Sequence, residues 1–212
     1  MISAIIFDFD GTLVNSETAI YQCFQHITHE LAPDRIDYAK KVLIGPPLEE
    51  TAKEILGEDK LHLTEIFVKK FIQLHDNEII LHTKPYPNAL YVLKKLHEKN
   101  ISMAIATNKR KAPTIKLTNY FQWQSYFKVI ECSDSIIKKR NKSLMIKEII
   151  QIDPHFKNGL FVGDTVNDGK AASENNLKFI KANYGYGHNQ NWSDVNIFKE
   201  INGLNELLHF FI

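Results

Sequence analysis

"AIIFDFDGTLVNSE", residues 4–17, runs from an apolar stretch straight into two acids two positions apart, Asp8 and Asp10, with Gly11 and Thr12 directly behind them. Residues 3–7, SAIIF, are short, apolar and β-branched, which predicts a buried strand. Ending such a strand on two like charges costs stability twice, by repulsion and by lost hydration. A chain that keeps them there needs something positive to meet them.

The texture changes after the acids. From about Glu17 to His82 the pattern is helical: Ile20, Phe24, Ile27 and Leu31 recur at helical spacing, as do Ile66, Phe67, Phe71 and Leu74. Pro33–Asp34 and Gly45–Pro46–Pro47 break this region into separate helices, and LEETAKEIL after Pro47 has proline and acids where a helix begins. Lys84–Pro85–Tyr86–Pro87 is a stiff, extended crossing point. A helix with Leu90, Leu93 and Leu96 follows it. Then ISMAIAT (101–107), FKVIE (127–131), GLFVG (159–163) and LKFIKA (177–182) read as strands, with helices near 111–120, 143–151 and 167–174. LNELLHFFI closes the chain as an amphipathic helix, with Phe210, Phe211 and Ile212 packed against the sheet. Strand and helix in alternation mean parallel βαβ units. The expected fold is α/β, a Rossmann-like parallel-sheet core of residues 1–15 and 84–212 with an inserted helical cap of residues 16–83. The insert follows the acidic pair directly, as a lid over a strand-end crevice would.

Composition narrows the function classes. The chain has 212 residues, 44% hydrophobic and 24% charged, with a formal net charge of +1, so no basic field points to nucleic acid. The one dense basic run, KKRNK at 138–142, reads mainly as solvated surface. Cys23 and Cys132 are too few and too far apart for a disulfide framework or a zinc site, which fits a reduced, cytoplasmic setting. No apolar run of about 18 residues suggests a membrane span.

The polar signals fall at the ends of predicted strands: Asp8 and Asp10 after the first, Thr107–Asn108 after the second, GDTVND (163–168) after the fourth, and Lys142 before a helix. In a parallel sheet these ends share one edge, which gathers Asp8, Asp10, Thr107, Asp164 and Asp168. Four carboxylates in one pocket call for a hard cation such as Mg²⁺. With a lysine added, the set suits a dianionic phosphate: one carboxylate attacks phosphorus, while Thr107 and backbone N–H groups hold the remaining oxygens.

DFDGT (8–12), Thr107–Asn108, Lys142 and GDTVND (163–168), in this order and spacing, resemble the four motifs of the haloacid dehalogenase superfamily, in the branch with a helical cap after the first motif. YPNALYVLKKLHEKNISMAIATNK (86–109) is similar to the stretch leading into the second motif of phosphoglycolate-phosphatase-like members. The resemblance implies a Mg²⁺-dependent phosphatase of small phosphorylated metabolites. Asp8 would be the nucleophile. Asp10 would be the acid that protonates the leaving oxygen and then the base that activates water. Mg²⁺ would be held by Asp8, Asp164 and the Asp10 carbonyl. Asp168 would support the metal's waters or orient Lys142, and Thr107 with the Asn108 amide would bind phosphate. Lys142 is followed by Ser143 where relatives often have proline, and Lys138 and Lys139 compete with it for the lysine role. Asn88 stands at the cap hinge where relatives commonly have glycine.

Other features carry plainer expectations. Gly45–Pro46–Pro47 reads equally as a turn aimed at the site and as a simple interhelical turn. Arg35, Arg110 and the nine histidines are expected to be solvated or packed, and Tyr184–Gly185–Tyr186–Gly187 to be an ordinary loop near the rim. A sugar phosphomutase on the same scaffold is the second functional reading, and a non-catalytic binding domain the third.

Overall fold

The computed structural model describes residues 2–135 and 140–211; Lys138, Lys139 and Ile212, named above, lie outside the described residues. The chain opens with strand β1 (Ala4–Phe7) and a tight turn into the short β2 (Val14–Asn15). Four helices follow: α1 (Glu17–Leu31), α2 (Ile36–Ala39), α3 (Leu48–Leu56) and α4 (Thr64–His82). The chain returns through β3 (Lys84–Pro85), which pairs antiparallel with β2, Val14 opposite Pro85. Beyond it come α5 (Ala89–Glu98), β4 (Ser102–Thr107), α6 (Lys111–Tyr120), β5 (Val129–Cys132), α7 (Lys142–Ile152), β6 (Leu160–Gly163), α8 (Val166–Glu174), β7 (Lys178–Ala182) and β8 (Ile197–Ile201).

Six strands form one parallel sheet in the order β5-β4-β1-β6-β7-β8. β1 is central and fully buried, so both faces of its pleat are apolar. Ile5 and Phe7 enter one core with Val92, Leu93 and Leu96 of α5. Ala4 and Ile6 enter the other with Met145, Ile146 and Ile149 of α7 and Ala171 and Ala172 of α8. Each large aliphatic or aromatic side chain so buried contributes ~1.5–3 kcal/mol. Helices α1–α4 surround a third cluster of their own, including Ile20, Phe24, Ile27, Ile55, Phe67 and Phe71, with the Phe24 and Phe71 rings 5.1 Å apart.

Several expectations are corrected. Ile66 and Leu90 continue helical apolar patterns but are 44% and 47% exposed, because a periodic stripe wider than the contact it serves leaves its edge in water. The closing segment is a 3₁₀ helix, Leu204–Phe211, which still buries Leu204 and Leu207 against the sheet. The sixth strand, β8, carries Lys199 and Glu200 and, among the described residues, pairs only with β7 at the sheet edge, which is why no apolar run announced it. Arg140, in the run expected at the surface, is buried and pairs with Glu131. Asn88 adopts φ +65°, the left-handed conformation that glycine takes most readily and asparagine tolerates.

Candidate active site

β1 lies between β4 and β6, so the strand ends bearing Asp8, Thr107 and Asp164 are neighbours. The Asp8 amide extends the sheet by donating to the Val162 carbonyl at 2.8 Å. The chain then turns sharply, with the Leu13 and Val14 amides both donating to the Phe9 carbonyl, at 2.9 and 3.0 Å. Gly11 makes the turn with φ +84°, and a Cβ there would lie 2.2 Å from an Asp164 carboxylate oxygen, so only glycine fits. Gly185 closes on Asp164 from another side, also with room for no Cβ.

Asp164 is 1% exposed. Thr12 Oγ1 donates to its Oδ1 at 3.1 Å, and the Tyr186 amide to its Oδ2 at 2.7 Å. Burial raises its pKa well above the usual carboxylate range, helped by Asp168 and Asp8. Burial also pushes Asp8 up, to about 7, against the pull of Lys142. Lys142 Nζ sits 2.8 Å from Asp8 Oδ1 and pairs as well with Asp168 Oδ1. Burial works to lower the Lys142 pKa, but the two carboxylates outweigh it and hold the ammonium charged.

Asp168 is fully committed. Its Oδ2 accepts from the Asp164 amide (3.2 Å), the Thr165 amide (2.8 Å) and Thr165 Oγ1 (2.7 Å), while its Oδ1 faces Lys142. The Thr165 amide bond, with the Asp168 amide donating to Thr165 Oγ1 at 3.4 Å, forms a capping box that starts α8. Asp8, Asp164 and Asp168 each place a carboxylate oxygen within 4.8 Å of the others. The donor set is all oxygen and buried, and burial acts against the charge of Asp8 and Asp164, so a hard divalent cation fits here. Asp8 and Asp164 have lone pairs to spare for it.

Asp10 is held from two sides. Ser16 Oγ donates to its Oδ1 at 2.5 Å, and Lys109 Nζ reaches both carboxylate oxygens at 3.1 and 3.0 Å. Thr107 is buried, and its hydroxyl accepts from the Lys109 amide at 3.1 Å. The Asn108 side chain donates to the Gly45 carbonyl at 2.8 Å, so the Gly45–Pro46 turn does meet the site. A cavity of about 90 Å³ lies over Asp8, Asp10, Thr107, Asn108 and Lys142, closed on the other side by α1, α3 and α4.

All the sequence-derived site residues thus come together. Lys109, Ser16, Thr12 and His75 were not singled out, and Lys109 was legible as the residue after Thr107–Asn108. Two plainer expectations are corrected. Arg110 lines the cavity and pairs with Asp76, and the Tyr184–Gly187 loop packs against Asp164, not on the rim.

Residues 5–182 match the family model described as haloacid dehalogenase-like hydrolase. The chain is 26% identical over 209 residues to a phosphoglycolate phosphatase of Psychrobacter arcticus, covering 91% of this chain and 88% of the relative. It is 27% identical over 171 residues to the pyrophosphatase PpaX of Halalkalibacterium halodurans, covering 79% of this chain and 77% of the relative. Its fold matches that of a haloacid dehalogenase-like family hydrolase from Streptococcus pneumoniae with a TM-score of 0.84 at 22% identity, over 100% and 99% of the two chains.

Proposed function

We propose that this chain, which belongs to the haloacid dehalogenase-like hydrolase family and is a phosphatase, hydrolyses small phosphate monoesters, phosphoglycolate-like or of a related small metabolite, with Mg²⁺, through a phosphoryl ester of Asp8. The observation that carries this reading is Lys142 bridging Asp8 and Asp168 beside Asp164, at the meeting point of strand ends more than 150 residues apart in sequence. Such a buried cluster with excess negative charge is costly unless it serves a bound cation and the chemistry beside it.

Asp8 Oδ attacks phosphorus as the ester P–O bond breaks, and Asp10 gives its proton to the departing alkoxide. Asp10 then takes a proton from water as the water attacks phosphorus. The bond to Asp8 breaks, releasing inorganic phosphate and the free carboxylate. Lys142 favours the ionised form of Asp8 against burial and aims it, and Asp168 fixes Lys142. Thr107 and Asn108 are the phosphate contacts in this reading. Mg²⁺, held by Asp8, Asp164 and the Asp10 carbonyl, would screen the approach of the two anions. Lys109 Nζ meets both Asp10 carboxylate oxygens, and the incoming phosphate dianion is the competing partner for that ammonium.

Residues 16–83 act as the cap on a core of residues 1–15 and 84–212. Their separate apolar cluster and the β2–β3 stem support that division. The test is phosphate release from p-nitrophenyl phosphate with Mg²⁺, using the Asp8→Asn protein as blank. Turnover that survives EDTA, or that Asp8→Asn retains, would overturn the reading.

A further inference from the structure

The cavity has two unlike walls. One carries the charged set described above. The other is apolar, with Ile20, Phe24, Ile44 and Phe71, and its Thr51 hydroxyl is turned to the Pro47 carbonyl at 3.4 Å. The cations lining it are each already matched: Lys142 to Asp8 and Asp168, Lys109 to Asp10, Arg110 to Asp76. Counting Asp164, the carboxylates exceed these cations by two charges, which a divalent cation balances. A phosphate dianion then adds two more negative charges. A further anion on the leaving group would face the apolar wall with no free cation among the described lining residues, which is a costly burial.

His75 is the exception on that wall. It is 3% exposed, stacks on Phe71 at 4.9 Å, and neither ring nitrogen has a hydrogen-bond partner among the described residues. Nδ1 lies 3.7 Å from Asp76 Oδ1, beyond hydrogen-bonding reach, and Asp76 is already taken by Arg110. Burial, and then nearby Lys109, push its pKa down to about 4, so the ring is neutral. A neutral imidazole offers one N–H donor and one acceptor nitrogen, the complement of a hydroxyl group. Leaving such a ring unpaired is costly.

We infer that the ester turned over here has a short, uncharged, hydroxyl-bearing leaving group, and that His75 selects it by pairing with the hydroxyl. This rests on the phosphatase reading and refines its substrate class, away from leaving groups that carry a carboxylate or a second phosphate.

The test compares kcat/KM with Mg²⁺ for 2-hydroxyethyl phosphate, ethyl phosphate, phosphoglycolate and pyrophosphate, with p-nitrophenyl phosphate as reference. 2-Hydroxyethyl phosphate should exceed both anionic compounds by about tenfold or more. His75→Phe should shrink the ratio of 2-hydroxyethyl to ethyl phosphate by about tenfold, mainly through KM, and His75→Gln, which keeps a donor and an acceptor, should restore most of it. A preference for phosphoglycolate or pyrophosphate overturns the inference, and so does a His75→Phe variant that slows both alkyl esters by the same factor. If p-nitrophenyl phosphate is turned over in either case, the phosphatase reading stands. No release from any of the five compounds overturns both.

Discussion

Replacing Lys142 by methionine keeps the length and packing of the side chain and removes its charge. The ammonium is 6% exposed, 2.8 Å from Asp8 Oδ1 and paired also with Asp168. One such contact at 2.8 Å is worth about 6 kcal/mol at an effective dielectric of about 20, before the cost of drying both ions is subtracted. Removing one partner of a buried pair leaves the other charge unmet, which typically costs ~3–5 kcal/mol. At about 2–4 °C per kcal/mol for a chain of this size, the melting temperature should fall on the order of 10 °C. The pH dependence follows from the signs. Lys142 has a raised folded-state pKa, so its contribution is complete through the neutral range and is lost only in strong alkali. In the variant, Asp8 and Asp168 repel without screening, and protonating Asp8, whose pKa burial already raises, relieves the repulsion. The gap to the natural protein should therefore be wide at pH 8 and narrow toward pH 5. Thermal melts at both pH values, without added metal, read it directly. A variant that melts within 2 °C of the parent at pH 8, or a gap that widens on acidification, would refute the electrostatic account. Phosphate release from p-nitrophenyl phosphate by this variant should fall at least ~100-fold.

Asp8→Asn should abolish phosphate release while melting no lower than the natural protein, since it removes one of three crowded buried charges; calorimetry beside the activity assay checks both. Mg²⁺ should raise the melting temperature more at pH 8 than at pH 5, because burial raises the pKa of Asp8 to about 7 and raises that of Asp164 as well, so the cluster carries more negative charge at the higher pH; an equal shift at both would argue against a carboxylate cage. Gly11→Ala should cost well over ~2 kcal/mol, as it adds a left-handed backbone penalty to a methyl group 2.2 Å from Asp164, and urea unfolding measures it. His75, with its pKa lowered to about 4 from 6.5, should make stability fall as pH drops from about 6.5 toward 4, by roughly 3 kcal/mol at most; urea midpoints of the parent and His75→Phe at pH 7 and pH 4.5 should show that acid limb shrinking in the variant.

Fully buried strands of a parallel sheet are the easiest elements to read, and β1, β4, β6 and β7 were legible as apolar runs. The edge strand β8 was not, because a strand covered on one side need not be apolar. Asp8, Asp10, Asp164 and Asp168 were legible because each follows a buried strand with polar side chains that the fold must otherwise explain. Ser16 was hidden by its ordinary neighbours, and Lys109 showed only in its place directly after Thr107–Asn108. A lysine after a strand and a serine before a helix look like surface and cap, and only the turn of Phe9–Val14 brings both to Asp10. His75 sits one helical turn from Phe71, and there the sequence pattern reads as packing. Its ring nitrogens lack hydrogen-bond partners among the described residues, and only the folded structure shows that.

Lys142 stands at the first position of α7, the end of a helix where a cation is opposed by the backbone dipole. Asn141 already caps that end by accepting from the Leu144 amide at 2.9 Å, so the lysine is not needed to start the helix. Asp168 occupies the first turn of α8, where an acid is welcome, and its capping box would form whether or not a lysine lay opposite. The pairing therefore fixes a cation that helix energetics disfavours, using an anion that helix energetics has already anchored. β1 lies between β4 and β6, so the cation that Asp168 holds also reaches the carboxylate at the end of β1. Helix starts and strand order, set by ordinary packing, are enough to hold one ammonium against Asp8.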